Sequence, residues 1–264
     1  MSTAPVAPFA LRRACVEFDG EHVVDEVDLT IERGEFVAIL GENGTGKTTL
    51  MRAMLGLVPL AHGTLRLFDK PLDHFHDWQR IAYVPQRLLA AGNVPVSVGE
   101  VVRSARFSPR SRFRPDRDGK RRTHEALEAV ALAGRQHDRF DSLSGGQQRR
   151  AMIARALVSD ADTYVLDEPT AGIDAESQTQ LASTLAQLSE RGNTILLVTH
   201  ELGAVADLAT RAIVLGRTDH GSVLYDGPTP LPLHLRHDIA HHDNDHRTGT
   251  LSTPLLDDPL SESP

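Results

Sequence analysis

The sequence predicts an α/β protein with a largely parallel sheet, on three observations. Four short segments, Phe36–Leu40, Tyr164–Leu166, Thr194–Val198 and Ala212–Leu215, are apolar and partly β-branched without polar alternation, as strands covered on both faces are. Stretches with apolar residues at helical spacing separate them, most clearly Lys47–Leu57 and Gln178–Glu190. The chain's 264 residues suffice to bury roughly three quarters of its unfolded surface without staples. Cys15, the single cysteine, cannot form an internal disulfide and reads as a small apolar filler in a strand.

In chain order, Arg13–Ile31 reads as an antiparallel hairpin turning at Asp19-Gly20, with Glu21 and His22 beside the turn. Strand Phe36–Leu40 and helix Lys47–Leu57 follow. Between about 87 and 160 strand-like runs vanish and helical stretches dominate (Val98–Arg106, Lys120–Ala133, Gly146–Val158), so an α-helical insertion is expected there. The pattern then returns to strand, helix and strand, with Gly192 placed as the C-cap of Gln178–Glu190. One domain is expected over 1–227. From Pro228 to Pro264 proline, histidine and aspartate take over and apolar periodicity fades, the composition of a mobile tail with one helical piece.

Composition narrows the function. With 28 Lys+Arg against 36 Asp+Glu the net charge is −8, which argues against a nucleic-acid coat. No window approaches the ~18 uninterrupted apolar residues of a membrane span. The N-terminus breaks its apolar stretch with Pro5 and Pro8 and puts its first basic residues afterwards, the reverse of a secretory signal. A cytoplasmic location is expected.

The strand endings carry the chemistry. After Phe36–Leu40 comes Gly41-Glu42-Asn43-Gly44-Thr45-Gly46-Lys47-Thr48, a full match to G-x-x-x-x-G-K-[ST]. Its glycines let successive backbone N–H groups face a phosphate, the helix adds its positive N-terminus, Lys47 reaches the β- and γ-phosphates, and the Thr48 hydroxyl suits Mg²⁺. The second strand ends in Leu166-Asp167-Glu168, where Asp167 suits Mg²⁺ and a neighbouring carboxylate needs a charge or proton to serve. The third ends in Val198-Thr199-His200. Ligands gather outside the carboxyl ends of parallel strands, so all three endings are expected to converge on one site.

With Leu143-Ser144-Gly145-Gly146-Gln147 between the phosphate loop and Asp167, the chain resembles the nucleotide-binding subunit of ATP-binding cassette (ABC) transporters. The resemblance spans Arg13–Gly227 and implies a P-loop NTPase (RecA-like) core, an antiparallel β subdomain and an inserted helical subdomain. It implies MgATP hydrolysis with Glu168 acting on the attacking water, Asp167 and Thr48 on Mg²⁺, and His200 as the γ-phosphate switch. Gln86, in Tyr83-Val84-Pro85-Gln86, matches the glutamine that contacts Mg²⁺ and the attacking water and links to the membrane subunit. Nucleotide contacts are implied for Gly41, Asn43, Gly44, Gly46, Lys47, Thr48 and Thr49. Ser144, Gly145, Gly146 and Gln147 imply a head-to-tail dimer in which each signature loop closes on the γ-phosphate held by the other copy. Ala171-Gly172-Ile173-Asp174 matches the loop crossing that interface. Phe18 holds the position of the adenine-stacking aromatic, with ordinary strand packing equally open. Arg149 stands where many members carry glutamine.

Without membrane helices, a second cassette or a long coiled coil between motifs, a separate transport ATPase is expected at the cytoplasmic face of the membrane, docked on a permease near Gln86 and the helical insertion. Five of the chain's 13 histidines, His234, His237, His241, His242 and His246, fall among Asp238, Asp243 and Asp245. Were the window helical, His237/His241 and His242/His246 would sit at i,i+4, a spacing that suits zinc, copper, nickel or iron; a merely polar tail is the alternative. The Val94-Pro95-Val96-Ser97-Val98 stretch and the Ala-Gly-Ile-Asp loop are similar to the zinc and manganese importer branch. The reading is a zinc importer ATPase, next manganese or iron, served by an extracytoplasmic metal-binding protein; an exporter of drugs or peptides with separate membrane chains is the other class. The nine basic residues from Arg103 to Arg122 read as a solvated loop or as a contact for the permease or anionic headgroups.

Overall fold

The computed structural model describes residues 6–86, 96–106, 118–172, 174–200, 203, 205–218, 221–233 and 235. The expected α/β class holds. A six-stranded sheet runs β10(Gly221–Pro228), β9(Arg211–Thr218), β3(Phe36–Gly41), β8(Thr194–Val198), β7(Thr163–Asp167), β6(Ile81–Val84), with every pairing parallel except that of β9 and β10. Side chains of β3 alternate between two cores. Phe36, Ala38 and Leu40 pack with the helices of one face, Val37 and Ile39 with the layer on the other. Burial on both sides explains why these strands read as continuous apolar runs.

The second layer is an antiparallel sheet in the order β2(Glu21–Ile31), β1(Phe9–Phe18), β4(His62–Leu67), β5(Lys70–Pro71). Asp19 and Gly20 both take left-handed φ (52° and 83°), the geometry of a primed two-residue turn, so the hairpin forms where expected but begins at Phe9 rather than Arg13. Helix α1(Lys47–Met54) lies between the sheets, with Leu50, Met51 and Met54 fully buried. It stops short of the expected Leu57 because Gly56 turns left-handed (φ 66°): its N–H donates to Ala53 O and that of Leu57 to Arg52 O, a Schellman closure.

The opposite face carries α2(Val98–Arg103), α3(Gly119–Glu128), α4(Gly145–Leu157) and α5(Ala175–Glu190). Helix α2 passes into a 3₁₀ turn at Ser104, and α3 ends early because Ala131 takes φ 54° and Leu132 N–H closes back on Leu127 O. Helix α5 starts three residues before the expected Gln178 because Asp174 caps it, accepting from Ser177 N–H at 2.9 Å, while Gly192 (φ 80°) closes it as expected. Strands β4 and β6 were not expected: β4 buries only Leu65 and Leu67, and β6 is four residues long at a sheet edge. Past the expected domain boundary the chain stays packed, with Thr229 N–H on Thr210 O and Leu231 buried.

The histidines of the tail lie outside the described residues. Of the basic cluster, Arg106 and Arg122 pair with Asp160, and Arg121 pairs with Glu125.

Candidate nucleotide site

The phosphate loop is built on glycines that must be glycines. Gly46 has φ 90°, and a Cβ there would lie 2.6 Å from the carbonyl oxygen of Val23 in β2; at Gly41 (φ 148°) it would lie 2.5 Å from Leu215 O. Neither backbone neighbour can yield, so the loop is pinned between the two sheets. Gly46→Ala combines a strained φ with a backbone clash, and nucleotide affinity is expected to fall about tenfold or more, matching a distortion of 1–3 kcal/mol. Titration with a fluorescent ATP analogue checks this.

Lys47 opens α1 with its side chain buried, its ammonium donating to Gly41 O at 2.7 Å and Glu42 O at 2.6 Å. Burial pulls its pKa below the usual lysine value, against which Glu168, Asp167 and Glu42 pull it back up. The positive charge is thus held inside the loop by backbone carbonyls and carboxylates, aimed where a phosphate chain would lie.

Asp167 closes β7 with no exposed surface. One oxygen accepts from Thr48 Oγ1 at 3.3 Å; Oδ2 is buried with no partner. Desolvation first, then the charge of Glu168, raise its pKa. A buried carboxylate with an orphaned oxygen beside a hydroxyl on the phosphate loop is a site that calls for a cation, and this donor set fits Mg²⁺.

Glu168 adopts φ 47°, uncommon for a non-glycine residue, and is held there by its N–H on Val198 O at 2.8 Å. That twist turns its carboxylate toward two partners: Gln86 Nε2, beyond the end of β6, donates to Oε2 at 2.5 Å, and His200 Nδ1, beyond β8, lies 3.1 Å from Oε1. Strand endings β3, β6, β7 and β8 therefore converge, which brings Lys47, Thr48, Gln86, Asp167, Glu168 and His200 together.

The signature-loop residues, Asp174 and Phe18 have other surroundings, and the remaining loop residues flank Lys47. Ser144 and Gln147 cap α4 reciprocally, Ser144 Oγ accepting from Gln147 N–H at 3.4 Å and Gln147 Oε1 from Ser144 N–H at 3.1 Å. Gly145 faces open space, whereas a Cβ on Gly146 would lie 3.0 Å from Gly172 O, so that glycine lets the loop before α5 approach. Both oxygens of Asp174 are taken by Ser177, whose bonds lower its pKa. Asn43 and Gly44 lie exposed in the loop and Thr49 sits on α1. Phe18 is 49% exposed at the hairpin tip, outside both cores.

One residue gains a role that its spacing did not disclose. Arg149 of α4 donates to Ala171 O at 2.5 Å and Gln86 O at 2.8 Å, joining the signature helix to the loops that carry Gln86 and Asp174. In sequence it showed only as an arginine replacing a glutamine.

A triphosphate cradle, an orphaned metal-seeking aspartate and a polarised glutamate define a nucleotide-hydrolysing P-loop enzyme. Residues 24–171 match the family described as ABC transporter, and the chain belongs to that family. It is 40% identical to the zinc transport system ATP-binding protein TroB of Treponema pallidum over 194 residues, which covers 73% of this chain and 72% of that one. It is 35% identical over 221 residues to the manganese transport system ATP-binding protein MntB of Bacillus subtilis, covering 81% and 88% respectively. The fold is that of the dimeric structure of MJ0796, a bacterial ABC transporter cassette, with a TM-score of 0.71 and 24% identity over 85% of this chain and all of that one. The protein binds nucleotide and is an ATP hydrolase coupled to transport. Cassettes of this family act as dimers with membrane-permease partners. No helix among the described residues is long and apolar enough to cross a membrane.

Proposed function

We propose that this cassette energises the import of a transition-metal ion, zinc before manganese, by hydrolysing MgATP between two head-to-tail copies beneath a permease. The observation that carries the cargo is the 40% identity to a zinc transport ATP-binding protein over 73% of the chain. The manganese reading rests on the 35% relative.

In this reading the backbone amides of the phosphate loop from Gly41 to Thr49, with Asn43 and Lys47, bind the phosphates, and Phe18 stacks on adenine. That Phe18 is exposed outside both cores supports stacking over strand packing. Thr48 and Asp167 would hold Mg²⁺, with Gln86 nearby, and the ion would offset charge on the β- and γ-phosphates. Glu168 orients and deprotonates the attacking water, while Gln86 and His200 fix the carboxylate and set its direction. Ser144, Gly145, Gly146 and Gln147 of the second copy complete the γ-phosphate clamp, with Asp174 at the interface. Phosphoryl transfer asks for positioning and electrostatics rather than covalent work, and the cluster supplies both.

The chain would sit at the cytoplasmic face, attached through its permease and supplied by an extracytoplasmic metal-binding protein. The complex reconstituted with that protein and a panel of divalent metals tests the cargo: zinc-loaded binding protein should stimulate ATP hydrolysis above manganese and iron. Indifference to every metal would remove the reading.

A further inference from the structure

We propose that Cys15, His22 and Asp25 of the β1–β2 hairpin form a second metal site, for a borderline-soft divalent ion of the zinc class. One ligand atom from each lies within 4.8 Å of the other two. Asp25 Oδ1 stands 3.1 Å from His22 Nδ1 and 3.5 Å from Cys15 Sγ. A tetrahedral zinc ion with bonds of about 2.0 Å to N and O and about 2.3 Å to S has N···O and S···O edges of roughly 3.3 and 3.5 Å. The two edges at Asp25 are already close to those of a metal cage, and the His22–Cys15 edge lies within 4.8 Å. Thiolate, imidazole and carboxylate together select zinc-class ions over Mg²⁺ or Ca²⁺, which take oxygen.

The surroundings also suit a metal. His22 Nε2 lies 2.8 Å from Glu17 Oε1, the outer carboxylate that typically orients a metal-bound histidine. In the metal-bound form Nε2–H donates to Glu17 and Nδ1 gives its lone pair to the cation it shares with Asp25; without the ion, an Nδ1–H donated to Asp25 spans the same 3.1 Å. Glu26 N–H donates to Cys15 Sγ at 3.3 Å, but burial outweighs that bond and raises the thiol's pKa, so the thiolate forms as the metal binds and displaces the thiol proton. Register shifts between Ala14 and Glu17 aim these side chains together, as bulges do. The sulfur is buried, while the side chains of His22 and Asp25 are 44% and 45% exposed, so the cluster is open to solvent on one side, where a water would be the fourth ligand.

The placement gives the site a consequence. The same hairpin carries Phe18 at its tip, and Val23, next to His22, sets its carbonyl against Gly46 of the phosphate loop. An ion tying β1 to β2 stiffens the wall of the nucleotide site, and binding at the two sites is linked. The linkage rests on the nucleotide site and not on the identity of the transported cargo.

Cys15 is the chain's only cysteine, which makes the test specific. Cobalt(II) added in one equivalent to the full-length protein should give a sulfur-to-cobalt charge-transfer band and tetrahedral d–d bands, both bleached by zinc. His22→Ala and Asp25→Asn, changes at half-exposed side chains, should remove the bands without unfolding the protein; Cys15→Ser should do the same. Histidines elsewhere cannot produce a thiolate band. Buffered free zinc should shift the affinity for a fluorescent ATP analogue by about fivefold or more in the wild type and leave His22→Ala unchanged. A folded wild-type protein without the thiolate band, or a band that survives in both His22→Ala and Asp25→Asn, overturns the site. A band without any affinity shift overturns the linkage. Either failure leaves the metal-panel result for the transporter standing.

Discussion

Glu168→Gln is expected to bind ATP with near wild-type affinity, to hydrolyse it slower by on the order of 10²–10³, and to accumulate as an ATP-bound dimer. The amide keeps the shape of the carboxylate and its oxygen still accepts from Gln86 Nε2, while its NH2 faces His200 Nδ1 and is met by the ring's lone pair, so the pocket is not rearranged. What it loses is the charge that takes a proton from water. The left-handed φ of 47° shows how far the backbone is bent to put that carboxylate there, and glutamine inherits the same bend. Single-turnover hydrolysis and light scattering with and without ATP give the two readouts. Brisk turnover by this variant would take the general-base role away from Glu168.

Lys47→Ala is expected to behave differently, losing binding as well as hydrolysis. Its ammonium is buried and satisfied by two loop carbonyls until a phosphate replaces them, so the positive charge is pre-positioned rather than recruited. A charged hydrogen bond to phosphate contributes about 1.5–3 kcal/mol, so affinity should fall roughly 10- to 150-fold, measured by equilibrium binding of a fluorescent ATP analogue. The contrast is diagnostic. If Lys47→Ala bound nucleotide as well as Glu168→Gln does, the phosphate loop would not be where the triphosphate sits.

Much of this was legible in the sequence, for identifiable reasons. Strands covered on both faces leave an unbroken apolar signature, so β3, β7, β8 and β9 stood out, and the carboxyl ends of β3, β7 and β8 marked the site. Strands β4 and β6 did not stand out, the first because it buries only Leu65 and Leu67, the second because four residues at a sheet edge are too few to show a period. Helix ends were misjudged where a single residue went left-handed, as at Gly56 and Ala131, because periodicity alone does not report φ. The strand endings converge as expected, and the bonds of Glu168 to Gln86 and His200 join residues separated by 82 and 32 positions, a proximity only the sheet creates. Arg149 was read as a bare substitution because its two acceptors are backbone carbonyls, which carry no sequence signal. Cys15 as an apolar filler was half the story: the residue is buried, but its sulfur faces Asp25 across the hairpin.

The most direct test of the central claim is metal flux in proteoliposomes containing the permease, this cassette and the binding protein, with MgATP enclosed on the cassette side and radiolabelled zinc outside. The account predicts ATP-dependent zinc accumulation in the lumen that stops with Glu168→Gln. Zinc that stays outside while ATP is consumed, or ATP-driven movement in the opposite direction, would contradict it.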